Sequence, residues 1–136
     1  MTILFINGSP NKNGNTVALV KRLLRNQEYE TLHLTDYKIY DYGQDFLDDQ
    51  FKEVIQKVFA ADTLVIGSPV YRHSINGLVR NFLDRQYGVV NRWVSWKKTL
   101  FYLSRLCSDT RSVRDGGLYY VSLCGALWNG LSGNGE

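Results

Sequence analysis

The chain has 136 residues, an ordinary apolar fraction, few prolines, abundant aromatics and a formal net charge of +3. That length suits one layered domain with a real core, and the composition favours a folded soluble protein over a disordered one. No apolar run approaches the roughly 18 residues needed to cross a bilayer, and the N-terminus lacks a secretory layout, so a soluble cytoplasmic protein is expected. Two cysteines, Cys107 and Cys124, make no disulfide framework and show no metal-type spacing with His33 or His73, so no metal site is expected. Acidic residues gather between 28 and 62 and most arginines between 72 and 114, without a stripe of base-stacking aromatics. This split is read as solvated faces, with no nucleic-acid partner.

In chain order, TILFI (2–6) is apolar and β-branched throughout, as expected of a strand buried on both faces. The loop from Asn7 to Asn15 comes next, and Val17, Val20, Leu23 and Leu24 mark a helix over residues 16–24. ETLHLT (30–35) alternates as a half-buried strand, with Leu32 and Leu34 on one face and His33 on the other. Residues 36–47, rich in Tyr and Asp, read as a connection. Phe51, Val54, Ile55, Val58 and Phe59 predict a helix over 48–60, with Asp48 and Asp49 at its positive end. TLVIG (63–67) is a second fully apolar strand, ended by a turn at Ser68-Pro69, and INGLVRNFLDR (75–85) resumes a helical period. The order β-α-β-α-β-α predicts a parallel sheet with helices on both faces.

Ligands in such sheets bind beyond the carboxyl ends of the strands, where strand order reverses. The loops after the first and third strands both lie at that edge, and both carry Gly-Ser-Pro. In the first, Ser9, Asn11, Asn13, Asn15 and Thr16 supply short polar side chains, and Gly8 and Gly14 let backbone N–H groups converge beside a helix N-terminus. A phosphate fits such a loop without a basic side chain; a plain Asn/Gly turn with a helix cap is the alternative. The motif is neither a dinucleotide fingerprint nor a P-loop. In the second, Pro69 fixes the backbone, Tyr71 offers a flat face for a planar ring, and His73 either meets a ligand or sits exposed in the loop.

GSPNKNGNT with a later GSPVYRHSINGLVRNFLDR resembles the flavodoxin-like family of NAD(P)H-dependent FMN reductases and quinone reductases, over residues 1 to about 90. The resemblance implies a single flavodoxin-like α/β/α domain over 1–136, with 1–90 family-like and 91–136 a divergent tail whose strand and helix are incomplete. It implies that Ser9, Asn11, Asn15 and Thr16 hold an FMN phosphate and that Pro69, Val70, Tyr71 and Arg72 border the isoalloxazine. Relatives commonly have Trp where this chain has Arg72; an arginine there would stabilise a reduced anionic flavin. Asp84-Arg85 would cap its helix or touch a partner subunit. The implied function is an FMN-dependent NAD(P)H oxidoreductase with no proton-donating catalytic side chain. It would reduce a quinone, flavin or other small acceptor and pair as a homodimer, with neither membrane nor nucleic acid as a partner. A flavodoxin-type electron carrier, or a truncated inactive product, is the alternative.

After about Val90 the family pattern stops. TLFYLS (99–104) still reads as a strand, residues 105–116 are polar and arginine-rich, and the Gly/Asn-rich ending is assigned to no element. The genetic code offers a reason. One base forward, Trp96 and the start of Lys97 must encode Gly, and Lys97-Lys98-Thr99 must encode two residues that are each Lys or Arg. Allowed codons continue as GKKLYFIYQG, and residues 114–136 permit EMEAYTMSRFVELYGMDYLEMV, a helix running into a strand. The tail is therefore expected to be the product of a frameshift near residue 91, leaving Trp93, Trp96, Tyr119, Tyr120 and Trp128 as an aggregation liability.

Overall fold

The computed structural model describes residues 2–71, 74–87, 89, 98–104, 112–115 and 118–122. Its elements are β1 (Ile3–Asn7), α1 (Asn15–Leu24), β2 (Glu30–His33), a 3-10 turn (Leu34–Asp36), α2 (Phe51–Ala60), β3 (Thr63–Tyr71), β4 (Ser74–Ile75), α3 (Gly77–Arg85), β5 (Lys98–Ser104), β6 (Ser112–Asp115) and β7 (Leu118–Ser122). The sheet runs β2-β1-β3-β5-β7-β6, with β4 paired to β3 off this path. β2, β1, β3, β5 and β7 are mutually parallel, and β4 and β6 are antiparallel to their neighbours.

The two apolar runs are continuous because both faces of the sheet are covered. Along β1, Ile3 and Phe5 join Val65, Val20 and Leu24 in a core under α1. Leu4 and Ile6 point the other way, into a larger core with Leu64, Ile66, Val54, Val58, Val79 and Phe82 from β3, α2 and α3. Residues one apart therefore serve opposite layers, and a register slip of one would exchange the two sets. The expected three-layer α/β/α arrangement is observed.

Four features depart from expectation. β2 ends at His33, and Leu34 enters the 3-10 turn while staying buried. α2 starts at Phe51 rather than Asp48 because the preceding segment bonds elsewhere: Gln50 N donates to Lys38 O at 2.7 Å, and Asp48 accepts from Lys38 Nζ and Tyr40 Oη. Asp49 still serves the helix start, its Oδ1 accepting from Phe51 N at 3.0 Å. Phe59, placed on the apolar face by spacing, is 41% exposed. The fourth departure matters most for the site. β3 does not turn at Ser68-Pro69; its pairing with β5 continues through Ser68↔Leu103 and Pro69↔Ser104, and Val70 then pairs Ile75 of β4.

The tail also supplies more sheet than expected. TLFYLS lies within β5, in the fourth position, and LYYVS forms β7 in the fifth. β6, from the polar stretch, adds an antiparallel edge. Trp93, Trp96 and Trp128 lie outside the described residues.

Candidate functional site: a cleft at the point where strand order reverses

From β1 the chain moves outward to β2 on one side, and β3 lies on the other, so the sheet reverses direction between β1 and β3. A crevice opens beyond the carboxyl ends of such a pair because successive crossovers leave in opposite directions. The two Gly-Ser-Pro motifs flank this point, and the backbone joins them: Gly8 N donates to Gly67 O at 2.8 Å.

The first motif leaves the sheet through side-chain turns. Asn7 Oδ1 accepts from Ser9 N, Ser9 Oγ from Asn11 N, and Asn11 Oδ1 from Asn13 N, all at 3.0–3.1 Å. Each short side chain thus accepts an N–H two residues on, the local competition with sheet pairing that Asn and Ser provide. These bonds use neither the Ser9 hydroxyl proton nor the Asn11 amide N–H groups. Asn7 is fully buried, and with its carbonyl committed to Ser9 its Nδ2 faces His33 Nδ1 at 3.0 Å. That makes His33 Nδ1 an acceptor. His33 therefore supports the loop from β2 as well as alternating in its strand.

Behind the loop stands α1. Its N-cap is Gly14, which brings no side-chain cap bond, and its first turn contains no acidic residue. Its positive end is thus uncompensated by any carboxylate of its own first turn, and the short donors of Ser9 and Asn11 stand in the adjoining loop: a donor set suited to a phosphate. Of the four residues expected to hold a phosphate, Ser9 and Thr16 are buried and Asn11 and Asn15 exposed. The glycines permit the close approach of the two motifs. A Cβ on Gly8 would lie 2.1 Å from Val79 Cγ2, and one on Gly67 would lie 2.5 Å from Thr16 Cγ2.

The second motif is the end of β3 and its hairpin with β4. Pro69 and Val70 are half-buried and Tyr71, at the strand end, is 55% exposed. Arg72 and His73 lie outside the described residues. Sequence reasoning missed Asn76, which is 4% exposed and joins both motifs. It caps α3, Oδ1 accepting from Val79 N at 3.1 Å, while Nδ2 donates to Gly8 O at 2.6 Å and its N–H donates to Ser68 Oγ at 3.0 Å. An Asn just before a helical period is a recognisable cap; its long-range bond is not.

Arg85, expected to cap its helix or meet a partner, is held within its own chain. It pairs with Asp49 Oδ2, donates to Tyr40 O at 2.8 Å and lies over the Phe51 ring, fastening α3 to the start of α2. Shifted titrations occur away from both motifs. Hydrogen bonds from Lys38 and Tyr40 hold Asp48 below its ordinary range, and the Glu30 hydrogen bond raises Lys57. A surface cavity of about 360 Å³ lined by Lys38, Leu47, Asp48, Asp49, Gln50 and Glu53 shares no residue with either motif, and its carboxylates suit no phosphate.

A sequence model of the NADPH-dependent FMN reductase family matches residues 1–104. The chain belongs to this family. An iron-sulfur flavoprotein of Archaeoglobus fulgidus is 36% identical over 98 residues, covering 62% of this chain and 48% of its own. An FMN-dependent NADPH-azoreductase of Staphylococcus haemolyticus is 33% identical over 96 residues, covering 60% and 50%. The chain spans about half the length of the curated relatives it matches. The Trp repressor binding protein of Bacillus subtilis shares the fold, with a TM-score of 0.60 at 19% identity over 76% of this chain and 67% of that one. The order β2-β1-β3-β5-β7 is the flavodoxin-like order, and in flavodoxin itself FMN lies at the β1/β3 reversal. Iron-sulfur clusters are held by cysteine thiolates, and residues 1–104 contain none, the first cysteine being Cys107.

Proposed function

We propose that this chain binds FMN at the β1/β3 reversal and acts as an NAD(P)H-dependent oxidoreductase. The observation that carries the reading is the union of an α1 N-terminus opened by Gly14 and its Ser/Asn loop with the β3 hairpin at one crevice. Ser9, Asn11, Asn15 and Thr16 would hold the phosphate, and Pro69, Val70, Tyr71 and Arg72 would border the ring. The redox chemistry, accepting a hydride from NAD(P)H and delivering the electrons to a quinone, a flavin or another small acceptor, is what FMN supplies when bound. The chain's own contribution is to bind and orient it: loop and helix N–H groups neutralise the phosphate, and the hairpin sets the ring's edge.

The test is the absorbance spectrum of purified protein with and without added FMN, then NADPH oxidation with a quinone acceptor. A yellow protein that turns over NADPH supports the reading. Bound FMN without turnover would instead select an electron carrier, and folded protein that takes up no FMN would contradict both.

Three further parts of the reading belong with it. The chain would act in the cytoplasm; among the described residues no helix is long and apolar enough to cross a membrane. It would pair as a homodimer, which sedimentation would show as twice the chain mass. The residues after about Val90 would be a frame-shifted tail, although the family match itself runs on to residue 104. Coding DNA whose codons exclude the shifted reading would contradict that origin.

A further inference from the structure

Asn76 makes more bonds than a helix cap needs. A cap requires one oxygen to accept an N–H of the first turn, which Asn76 Oδ1 provides to Val79, and Ser or Asp would serve nearly as well. The amide nitrogen has no part in capping. Here it donates to Gly8 O at 2.6 Å, across 68 positions of sequence, inside a buried network. The same residue's N–H donates to Ser68 Oγ, whose hydroxyl also lies 3.3 Å from Asn76 Oδ1. Gly8 opens the first motif and Ser68 lies in the second, so one side chain spans the seam between them.

Gly8 is held from both sides as a result. Its N–H goes to Gly67 O and its carbonyl accepts from Asn76, while the absence of a Cβ lets Val79 press against it. Ser9 is next in the chain, its own N–H fixed by Asn7. The direction in which the Ser9–Thr16 turn leaves the sheet is thereby set by two amide side chains, Asn7 from β1 and Asn76 from the start of α3.

We infer that Asn76 is a positioning residue that fixes the phosphate turn against the β3 hairpin, and that it thereby sets the chain's preference for a flavin carrying a phosphate over one without. This rests on the FMN reading above. The effect is local: losing the Asn76 amide leaves Gly8 O unpaired in a buried place and frees the plane of the peptide that aims the turn. A flavin's ring would not register that change, whereas its phosphate would.

The test compares FMN with riboflavin, which shares the ring and lacks the phosphate, by fluorescence titration of wild-type, Asn76→Ser and Asn76→Ala proteins, with melting curves of each. Ser keeps a cap and cannot reach Gly8; Ala loses both. The expected result is that both variants bind FMN about tenfold more weakly, a loss of about 1.4 kcal/mol, with riboflavin affinity within about twofold of wild type. Only Ala should show the additional fall in melting temperature that belongs to a lost cap. A Ser variant that retains the wild-type preference for FMN overturns the inference and leaves Asn76 a cap. Should the variants not fold, side-chain amide exchange in wild-type protein decides: FMN should slow exchange at Asn76 Nδ2 more than riboflavin does, and equal effects overturn the inference. A folded wild-type protein that binds neither flavin overturns the FMN reading and this inference with it, an outcome distinct from loss of preference in the variants alone.

Discussion

The same tripeptide, Gly-Ser-Pro, stands at the end of β1 and in β3, and the backbone does opposite things with it. After β1 it leaves the sheet at once, through a chain of Asn and Ser side chains that capture N–H groups two residues on. In β3 it remains strand, because β5 supplies partners as far as Ser104 and Val70-Tyr71 pair back on β4. The residues on its C-terminal side and the strands beside it decide its conformation: polar Asx-forming residues favour a turn, whereas β-favouring residues with a neighbouring strand favour extension. The difference is useful to the site. One copy gives a concave turn in front of a helix and the other a straight edge ending in an aromatic ring.

The largest expected effect comes from forcing the two copies apart. Gly8→Ala drives a methyl into Val79 and should cost about 2–3 kcal/mol in chemical denaturation, the upper part of the usual overpacking range. Gly67→Ala, against Thr16 and Phe5, should cost somewhat less. If Gly8→Ala is neutral in stability, Gly8 does not pack against Val79 of α3 as described.

Next in size is an asymmetry in ligand binding. Ser9→Ala should weaken FMN at least about tenfold, as the loss of a hydrogen bond to a charged group of about 1.5–3 kcal/mol would, and leave riboflavin unchanged. Tyr71→Ala should weaken both flavins by a few-fold, the scale of an aromatic contact worth about 0.5–1.5 kcal/mol, with stability within about 0.5 kcal/mol because the ring is exposed. Titration of the two variants with both flavins checks the pair. Identical patterns would erase the division of labour between turn and hairpin.

The smallest effect is a control outside both motifs. Asp48 is held below its ordinary value of 3.8 by hydrogen bonds from Lys38 and Tyr40. A carboxylate so depressed contributes stability above that value and loses it as pH falls through the folded-state value. Asp48→Asn should therefore be slightly less stable than wild type at neutral pH, with the gap closing in acid, and FMN affinity should not change. A gap that widened in acid would reverse the assignment.

Much of the architecture was legible in the sequence. TILFI and TLVIG announced strands covered on both faces, and Ile3/Phe5 against Leu4/Ile6 show why no alternation was visible: each set has its own layer. The pairing of the motifs at one edge came from strand order. Long-range partners were not legible. Ser68-Pro69 reads locally as a turn, and only β5 and β4 make it strand. Asp48 reads as a helix start until Lys38 and Tyr40 claim it. Arg85 finds Asp49, and Asn76 finds Gly8, through contacts that no local pattern encodes. β7 arises from a stretch with no helical period and gains its place from β5.

If the turn after β1 is a phosphate site and the hairpin after β3 a ring site of one FMN pocket, the phosphate must carry a measurable share of the affinity. Parallel titrations of folded wild-type protein with FMN and with riboflavin read that share. One FMN per chain should bind at micromolar concentration, and riboflavin at least about tenfold more weakly, the least that losing the phosphate's charge-assisted hydrogen bonds should cost. Equal affinity for the two flavins, or no uptake of either by folded protein, would contradict a pocket divided in this way.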